Sequence, residues 1–200
     1  RPFHKMGYPT ADFEMTDKNE SVGEYLSLFQ TFINDLKSED YFTSEVDKYC
    51  FDRLYALMYE YTTLVPASTY EGSKTYVSLF DHSKLTSAIA SCLYLNDTED
   101  ENFIMFEFDV SGIQKFIFKV TEGKDTKRDV AKSLRGRSFL VSAITNIITY
   151  SYLYEFGLTQ SNIIFNTGGG ALLLLPKCKN FEEKLNKVTQ KVQEILLDKF

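Results

Sequence analysis

The sequence predicts an α+β protein in which a helical segment precedes a small sheet with helices of its own. Apolar residues recur at intervals of three and four in three stretches before residue 100, a pattern typical of amphipathic helices. Apolar and polar residues then alternate over residues 103–110, as in a half-buried strand. Near residue 170, three consecutive glycines lie between two short apolar runs, which indicates a β-hairpin.

The first predicted helix follows a polar start of the chain. Residues 1–19 contain two prolines and a glycine and show no period, so we expect a loop or linker there. Ser21 and Glu24 have the spacing of a capping box, and apolar residues follow at helical intervals. A helix is therefore expected over residues 22–37.

Two further helices are expected before residue 100. Apolar residues from Val46 to Tyr61 recur at helical spacings. The second helix should therefore begin near Ser44 and end where Val65 precedes a proline. The third helix should begin with Asp81 as its N-cap, since aspartate is a favoured capping residue.

A change of pattern near residue 100 predicts a domain boundary. Residues 96–102 are polar and acidic, with the composition of a linker, and the alternating residues 103–110 follow directly. We therefore assign residues 20–99 to a helical domain and residues 100–200 to an α+β domain.

A long helix and a hairpin are expected after the first strand. The helix carries apolar residues from Leu140 to Tyr154 and should end at Gly157, a common residue at helix C-termini. Two apolar runs, residues 162–166 and 171–175, should pair as the hairpin.

A last helix completes the predicted order. Asn180 and Glu183 repeat the capping-box spacing, so a helix is expected over residues 181–200. The order from residue 103 onward is then β-α-β-β-α, and one more strand would complete a ferredoxin-like unit. Because the chain starts at Arg1 without methionine and ends where that strand should begin, we expect it to be a piece of a longer protein.

Composition excludes several classes of protein. Of the 200 residues, 44% are hydrophobic and 25% charged, as in globular domains, and no apolar run approaches the length of a membrane span. The net charge of -6 repels nucleic acid except at a local basic patch. Cys50, Cys92 and Cys178 lack any CxxC spacing, which predicts reduced thiols in a cytoplasmic protein.

The predicted hairpin tip lies where metal-dependent palm domains place acids. Polymerases and nucleotide cyclases of this strand order hold metal with an acid on the first strand and an acidic pair at the hairpin. Asp109 ends the first strand here, but the tip is Gly168, Gly169 and Gly170 with no acid. These glycines allow a phosphate or base to approach backbone N–H groups, or they serve a tight turn with positive φ.

Other residues are also candidates for binding. Ser111 and Gly112 follow the first strand and should face the same end of the sheet as the hairpin, as a contact to a nucleotide or as an ordinary turn. The segment over residues 124–137 holds six basic and two acidic side chains, a net charge of +4. It predicts either phosphate binding or a solvated helix face. Asp81 and His82 form half of a metal site at most.

Three ordered motifs resemble a known family. Residues 108–118 (FDVSGIQKFIF), residues 132–139 (KSLRGRSF) and residues 167–170 (TGGG) are similar to the first Palm domain of the large subunit of type III CRISPR effector complexes. Residues 78–90 (SLFDHSKLTSAIA) resemble the helix that closes the N-terminal HD nuclease domain of that subunit. The motifs are closest to those of subtype III-A.

The resemblance implies an RNA-activated enzyme. The full-length protein would convert ATP into cyclic oligoadenylates when target RNA is bound, and its HD domain would cleave single-stranded DNA with a divalent metal, Mg or Mn. In this family the second Palm carries a Gly-Gly-Asp-Asp hairpin. The present Palm would therefore be non-catalytic, would bind ATP through Ser111, Gly112 and the hairpin glycines (Gly168, Gly169, Gly170), and would be inactive alone.

The resemblance also implies partners. These are the other subunits of the effector complex, CRISPR RNA and target RNA held through the complex, and the second Palm of the same chain, with no membrane. Lys132, Arg135 and Arg137 would meet the triphosphate, RNA or an adjoining subunit. The family's HD nuclease needs a His-Asp pair and further histidines, which would lie before Arg1. Within this sequence the candidates for metal binding are Asp81, His82 and Asp109.

Two other functions fit the same sequence. One is a structural scaffold that holds the second Palm and a neighbouring small subunit, in which case Ser111 and Gly169 would matter for assembly and not for ATP. The other is a diguanylate-cyclase-like signalling domain, which fits the order of elements but lacks the acidic hairpin.

Overall fold

The computed structural model describes residues 18–38, 48–68, 77–99, 102–118 and 127–199. The chain forms two compact units, Arg1–Lys84 and Leu85–Phe200. Of the linker predicted over residues 1–19, residues 1–17 lie outside the described residues, and Lys18 and Asn19 belong instead to the first helix. The predicted start of the second helix near Ser44 also lies outside the described residues.

Helices and strands follow one another in the order that the sequence predicts, with one addition, the short helix α4. The elements are α1 (Lys18–Ser38), α2 (Lys48–Thr62), α3 (Leu79–Leu95), β1 (Phe103–Asp109), α4 (Ile113–Ile117), α5 (Lys127–Phe156), β2 (Ile163–Asn166), β3 (Gly170–Pro176) and α6 (Phe181–Lys199). A 3₁₀ turn, Gln160–Asn162, leads into β2. The predicted α+β class is thereby confirmed.

Aromatic side chains hold the first compact unit together. The rings of Phe32 in α1 and Tyr61 in α2 pack edge to face, with 5.6 Å between their centroids. The Tyr61 hydroxyl donates a hydrogen bond to Asp35. Phe80 packs its ring against Tyr55 at 5.2 Å and Tyr59 at 5.0 Å. Edge-to-face contacts of this kind add to the free energy gained by burial alone.

The third helix begins at Leu79, and its N-cap lies three residues before the predicted N-cap Asp81. The Ser78 hydroxyl accepts a hydrogen bond from the Asp81 N–H at 2.9 Å and donates one to the Asp81 carboxylate at 2.8 Å. Ser78 is therefore the capping residue, and Asp81 is the third residue of the helix. Both serine and aspartate are good N-caps, and only the backbone path distinguishes them.

The sheet has three antiparallel strands in the order β1-β3-β2. Along β1 the side chains of Ile104, Phe106 and Phe108 are half-buried and those between them are exposed, which confirms the predicted alternation. Phe106 lies opposite Leu173, near the middle of the β1–β3 ladder.

The central strand β3 is covered on both faces. Leu173 and Leu175 are fully buried in a core with residues of α5 and α6, and Phe106 of β1 packs its ring against Tyr152 of α5 at 4.8 Å. On the other face Leu174 packs against the C-terminal half of α3. A strand covered on both faces lacks polar alternation, which explains its four consecutive leucines.

A buried amide ties α3 to β3. The fully buried Asn162 side chain donates to the carbonyl oxygens of Ala88 at 3.2 Å and Leu174 at 3.0 Å. The amide nitrogen also donates to the Cys92 sulfur at 3.4 Å. Burial raises the pKa of the Cys92 thiol to about 11, and this effect outweighs the smaller, opposite effect of the hydrogen bond from Asn162. Cys92 is therefore a protonated core residue at neutral pH.

Gly157 ends α5 as the sequence predicts. Its φ is +70°, and the N–H groups of Gly157 and Leu158 donate to the carbonyls of Tyr154 and Leu153, at 3.2 and 2.8 Å. This pair of bonds is the Schellman motif.

The boundary between the compact units falls between Lys84 and Leu85, inside α3, whereas the domain boundary is predicted near residue 100. The C-terminal half of α3 packs with the sheet because Ala88 and Cys92 cover β3. The units reflect packing, and the assignment of residues 20–99 to one domain stays a prediction. Within the part of the chain that the structure describes, no helix combines the length and apolarity needed to cross a bilayer.

Replacing Asn162 with alanine should lower the free energy of unfolding of the chain by about 3 kcal/mol, because two buried carbonyls lose their donor and a cavity forms. Urea unfolding measures this change. The control is Asn186→Ala on the exposed face of α6, which should change stability by less than about 0.5 kcal/mol. Equal effects of the two substitutions would show that the amide does not link α3 to β3.

Candidate functional site

The two predicted halves of the site come together at one end of the sheet. Asp109, the last residue of β1, pairs with Gly170, the first residue of β3. The Val110 N–H donates to the Gly169 carbonyl at 2.8 Å, so the turn after β1 lies against the hairpin tip. We call this region, residues 109–113 and 166–170, the glycine edge.

The structural reason for glycine is different at each of the three hairpin positions. Gly168 has a φ of +77°, a left-handed conformation that favours glycine. A Cβ on Gly170 would lie 2.6 Å from the Phe108 carbonyl oxygen, so only glycine lets β1 approach this closely. A Cβ on Gly169 would lie 2.5 Å from the Ile113 Cδ1, the end of a flexible side chain. The alternative of a tight turn with positive φ therefore holds for Gly168 alone.

Most polar groups of the hairpin backbone are used within the protein. The Thr167 N–H donates to the Gly170 carbonyl at 2.9 Å, and the Gly170 N–H donates to the Thr167 hydroxyl at 3.2 Å. The Gly168 N–H donates to the Asn166 side chain at 2.9 Å. Two donors of the glycine edge, the Gly169 N–H and the exposed Ser111 hydroxyl, have no acceptor among the described residues.

Gly112 shapes the turn after β1. Its φ of +77° turns the chain into α4, and no atom lies within 4 Å of the position that a Cβ would occupy, so conformation and not space requires glycine here. The helix α4 was not predicted, although Ile113, Phe116 and Ile117 have helical spacing and are half-buried.

The acidic candidates do not assemble into a metal site. Among the described residues no group of three or more potential metal ligands occurs. Asp109 is exposed at the glycine edge, where its Oδ1 lies 3.1 Å from the position that a Cβ on Gly170 would occupy. Asp81 accepts its capping hydrogen bond and, with the exposed His82, belongs to the first compact unit. A single carboxylate does not fit Mg²⁺, which takes several oxygen ligands.

The three basic candidates on α5 separate into two groups. Lys132 and Arg135 are exposed. Arg137 is half-buried and donates to the Ile117 carbonyl at 3.3 Å, at the C-terminal end of α4. Arg137 therefore connects α5 to α4, and Lys132 and Arg135 present their charge to solvent.

Two residues that fix the hairpin, Asn166 in the glycine edge and Thr145 beneath it in α5, were not predicted from the sequence. The Asn166 side chain accepts from the Gly168 N–H and donates to Asn146 at 2.9 Å, a local turn that asparagine often forms before glycine. Thr145 of α5 contacts the Gly168 carbonyl with its hydroxyl. A threonine inside a helix gives no signal of such a contact, whereas the asparagine before a glycine turn does.

The glycine edge and its sheet define an α+β domain whose candidate binding groups are a hairpin backbone N–H and the hydroxyl of the turn after β1. Residues 102–200 match the family model described as Csm1 subunit domain B, and this part of the chain belongs to that family. The resemblance to the large subunit of type III CRISPR effector complexes is thereby confirmed.

Curated relatives carry the same description. The chain is 31% identical to a Methanocaldococcus jannaschii protein named CRISPR system single-strand-specific deoxyribonuclease Cas10/Csm1 (subtype III-A), over 95% of the chain and 27% of the relative. A Mycobacterium tuberculosis protein of the same name is 32% identical over 69% of the chain and 19% of the relative. The chain therefore spans about a quarter or less of the length of these relatives.

Solved structures share the fold. The crystal structure of Csm1 from T. onnurineus matches with a TM-score of 0.73 and 27% identity, over 100% of this chain and 28% of that chain. A Csm1-Csm4 cassette in complex with one ATP matches with a TM-score of 0.68 and 29% identity, over 86% and 23%. A cassette in complex with cA4 gives a TM-score of 0.72 and 28% identity, over 89% and 24%.

Replacing Gly170 with alanine should destabilise the chain by about 2 kcal/mol, because the added Cβ collides with the backbone of β1 and not with a movable side chain. The matched control is Gly136→Ala in α5, where nothing lies within 4 Å of the new Cβ. This control should be more stable by up to about 1 kcal/mol, since alanine favours helix. Thermal or urea unfolding measures both, and a neutral Gly170→Ala would contradict the close approach.

Proposed function

We propose that this chain is part of the large subunit of a type III-A CRISPR effector complex. On binding target RNA, the full-length protein synthesises cyclic oligoadenylates from ATP, and it cleaves single-stranded DNA. The present domain is the non-catalytic Palm, which helps to bind ATP at the glycine edge. The observation that carries the proposal is the contact between Val110 and Gly169, which brings the Ser111–Gly112 turn and the glycine hairpin to one edge.

The topology supports a ferredoxin-like Palm. In a ferredoxin-like sheet the third strand lies between the first two, and the fourth pairs with the remaining edge of the first. Here β3 lies between β1 and β2, and the other edge of β1 is not paired with any described strand. A fourth strand would complete the unit there. By the same proposal residues 20–99 form the end of the HD nuclease domain and residues 100–200 the Palm.

The two donors at the glycine edge suit a nucleotide. The Gly169 N–H and the Ser111 hydroxyl can donate to phosphate or base acceptors, and hydrogen bonds to charged phosphate oxygens are the stronger kind. Gly168 and Gly170 then shape the hairpin, and Gly112 shapes the turn. The carboxylate of Asp109 at the same edge repels a bare phosphate, so the divalent metal that accompanies ATP would need ligands from outside the described residues.

Related structures support a nucleotide bound to the assembly that contains this subunit. A Csm1-Csm4 cassette has been solved in complex with one ATP, with pppApA and with cA4. We extend this to the present chain as ATP substrate and cyclic oligoadenylate product. The proposed partners are the other effector subunits, CRISPR RNA and target RNA through the complex, and a second Palm of the same full-length chain in the cytoplasm.

Replacing Ser111 with alanine in the full-length protein should weaken ATP binding about tenfold, the loss expected for one hydrogen bond to a charged group. Isothermal titration with ATP measures it. The control is Ser151→Ala, whose hydroxyl donates to the Ile147 carbonyl within α5 at 2.8 Å and which should leave the affinity unchanged. If Ser111→Ala leaves ATP affinity unchanged and weakens complex assembly, the scaffold function is correct instead.

Replacing Lys132 and Arg135 together with alanine tests the exposed basic residues. If both contact RNA phosphates in the assembled complex, the slope of log affinity against log salt should flatten by about 1.4, roughly 0.7 for each single-strand contact. The control is the double variant Lys187→Ala and Lys191→Ala on exposed positions of α6, which removes the same charge. Equal slopes for the unmodified protein and the Lys132/Arg135 variant would exclude RNA and leave the triphosphate or an adjoining subunit.

A further inference from the structure

A threonine of α5 forms a hydrogen bond to the backbone at the tip of the glycine hairpin. Thr145 is fully buried. Its hydroxyl lies 3.0 Å from the Val141 carbonyl oxygen and 3.3 Å from the Gly168 carbonyl oxygen. The single hydroxyl proton is therefore shared between the preceding turn of its own helix and the hairpin.

This contact sets the direction of the open donor. The Gly168 carbonyl and the Gly169 N–H belong to the same peptide unit, which is planar and trans, so they point in opposite directions. Because the carbonyl is held towards Thr145, the Gly169 N–H points away from α5. A hydrogen bond to the carbonyl also polarises the peptide unit and strengthens its N–H as a donor.

The hairpin tip needs such a contact because it consists of glycines. A peptide unit between two glycines meets little steric resistance to rotation. Rotation by half a turn would exchange the N–H for the carbonyl oxygen and replace a donor by an acceptor. The neighbouring groups are fixed as well, since the Gly168 N–H donates to Asn166 and the Gly169 carbonyl accepts from Val110. Thr145 holds the one peptide unit between these two bonds.

We propose that Thr145 is a positioning residue that keeps the Gly169 N–H directed at an acceptor oxygen of the bound nucleotide. The inference rests on the proposed function of the glycine edge and names the group through which α5 controls it. Thr145 does not touch the nucleotide itself. Its effect is on nucleotide affinity through the hairpin backbone.

The chain offers a matched control one turn further along α5. Thr149 is also fully buried, and its hydroxyl donates to the Thr145 carbonyl at 2.8 Å. Replacing either threonine with valine keeps the shape and removes one hydroxyl from the interior of the same helix. Only Thr145 contacts the hairpin, so a purely structural effect should be similar in both variants.

The experiment compares Thr145→Val, Thr149→Val and Thr145→Ser in the full-length protein. We expect Thr145→Val to raise both the dissociation constant and the KM for ATP about tenfold with little change in kcat. Thr149→Val should bind ATP as the unmodified protein does, at a similar melting temperature to Thr145→Val. Thr145→Ser keeps the hydroxyl and should restore the affinity. If Thr145→Val does not fold, Thr145→Ala is compared with Thr149→Ala in the same way.

The outcomes separate this inference from the proposed function. Equal ATP affinities for Thr145→Val and Thr149→Val, while Ser111→Ala still weakens binding, would overturn the positioning role and leave the site intact. A failure of Thr145→Ser to restore affinity would also overturn it. If neither Ser111→Ala nor Thr145→Val changes the affinity of a protein that does bind ATP, the glycine edge is not the site and both proposals fall.

Discussion

The close approach of β1 to Gly170 is the constraint on which the glycine edge depends. A side chain at position 170 would collide with the Phe108 carbonyl, so the ladder between β1 and β3 can reach its last pair only with glycine there. Because that pair forms, β1 ends level with the start of β3, and Val110 reaches the Gly169 carbonyl. The turn after β1 and the hairpin tip thus share an edge for a steric reason.

The central strand behind that edge anchors it in two packed clusters. β3 is buried on both faces, and Leu173 and Leu174 pack into different clusters on opposite sides. The buried Asn162 amide adds hydrogen bonds from the 3₁₀ turn before β2 to both α3 and β3. A slip of one residue in this hairpin would move each buried leucine to the opposite face of the sheet, so both clusters would have to repack.

Periodicity predicted the elements well, and close contacts were beyond its reach. The alternation in β1, the end of α5 at Gly157 and the hairpin each follow from residue preferences that are visible in the local sequence. The prediction of Asp81 as the N-cap of α3 was wrong, because Ser78 and Asp81 are both favoured caps and only the backbone conformation distinguishes them. The juxtaposition of Ser111 with the hairpin could be expected from strand order. The roles of Thr145 and Arg137 could not, since each depends on a distance between residues 20 or more apart in sequence.

The three glycines illustrate why composition alone overstates a binding site. In sequence they offer three backbone N–H groups to a ligand, but Gly168 and Gly170 donate theirs within the hairpin. Gly169 alone keeps an open donor, and a side chain added there would meet Ile113. Substituting a glycine therefore tests packing before it tests binding. The Thr145 hydroxyl acts on the hairpin through a hydrogen bond and not by filling space. Its removal therefore changes the direction of the Gly169 N–H and leaves the packing in place, which separates the two effects.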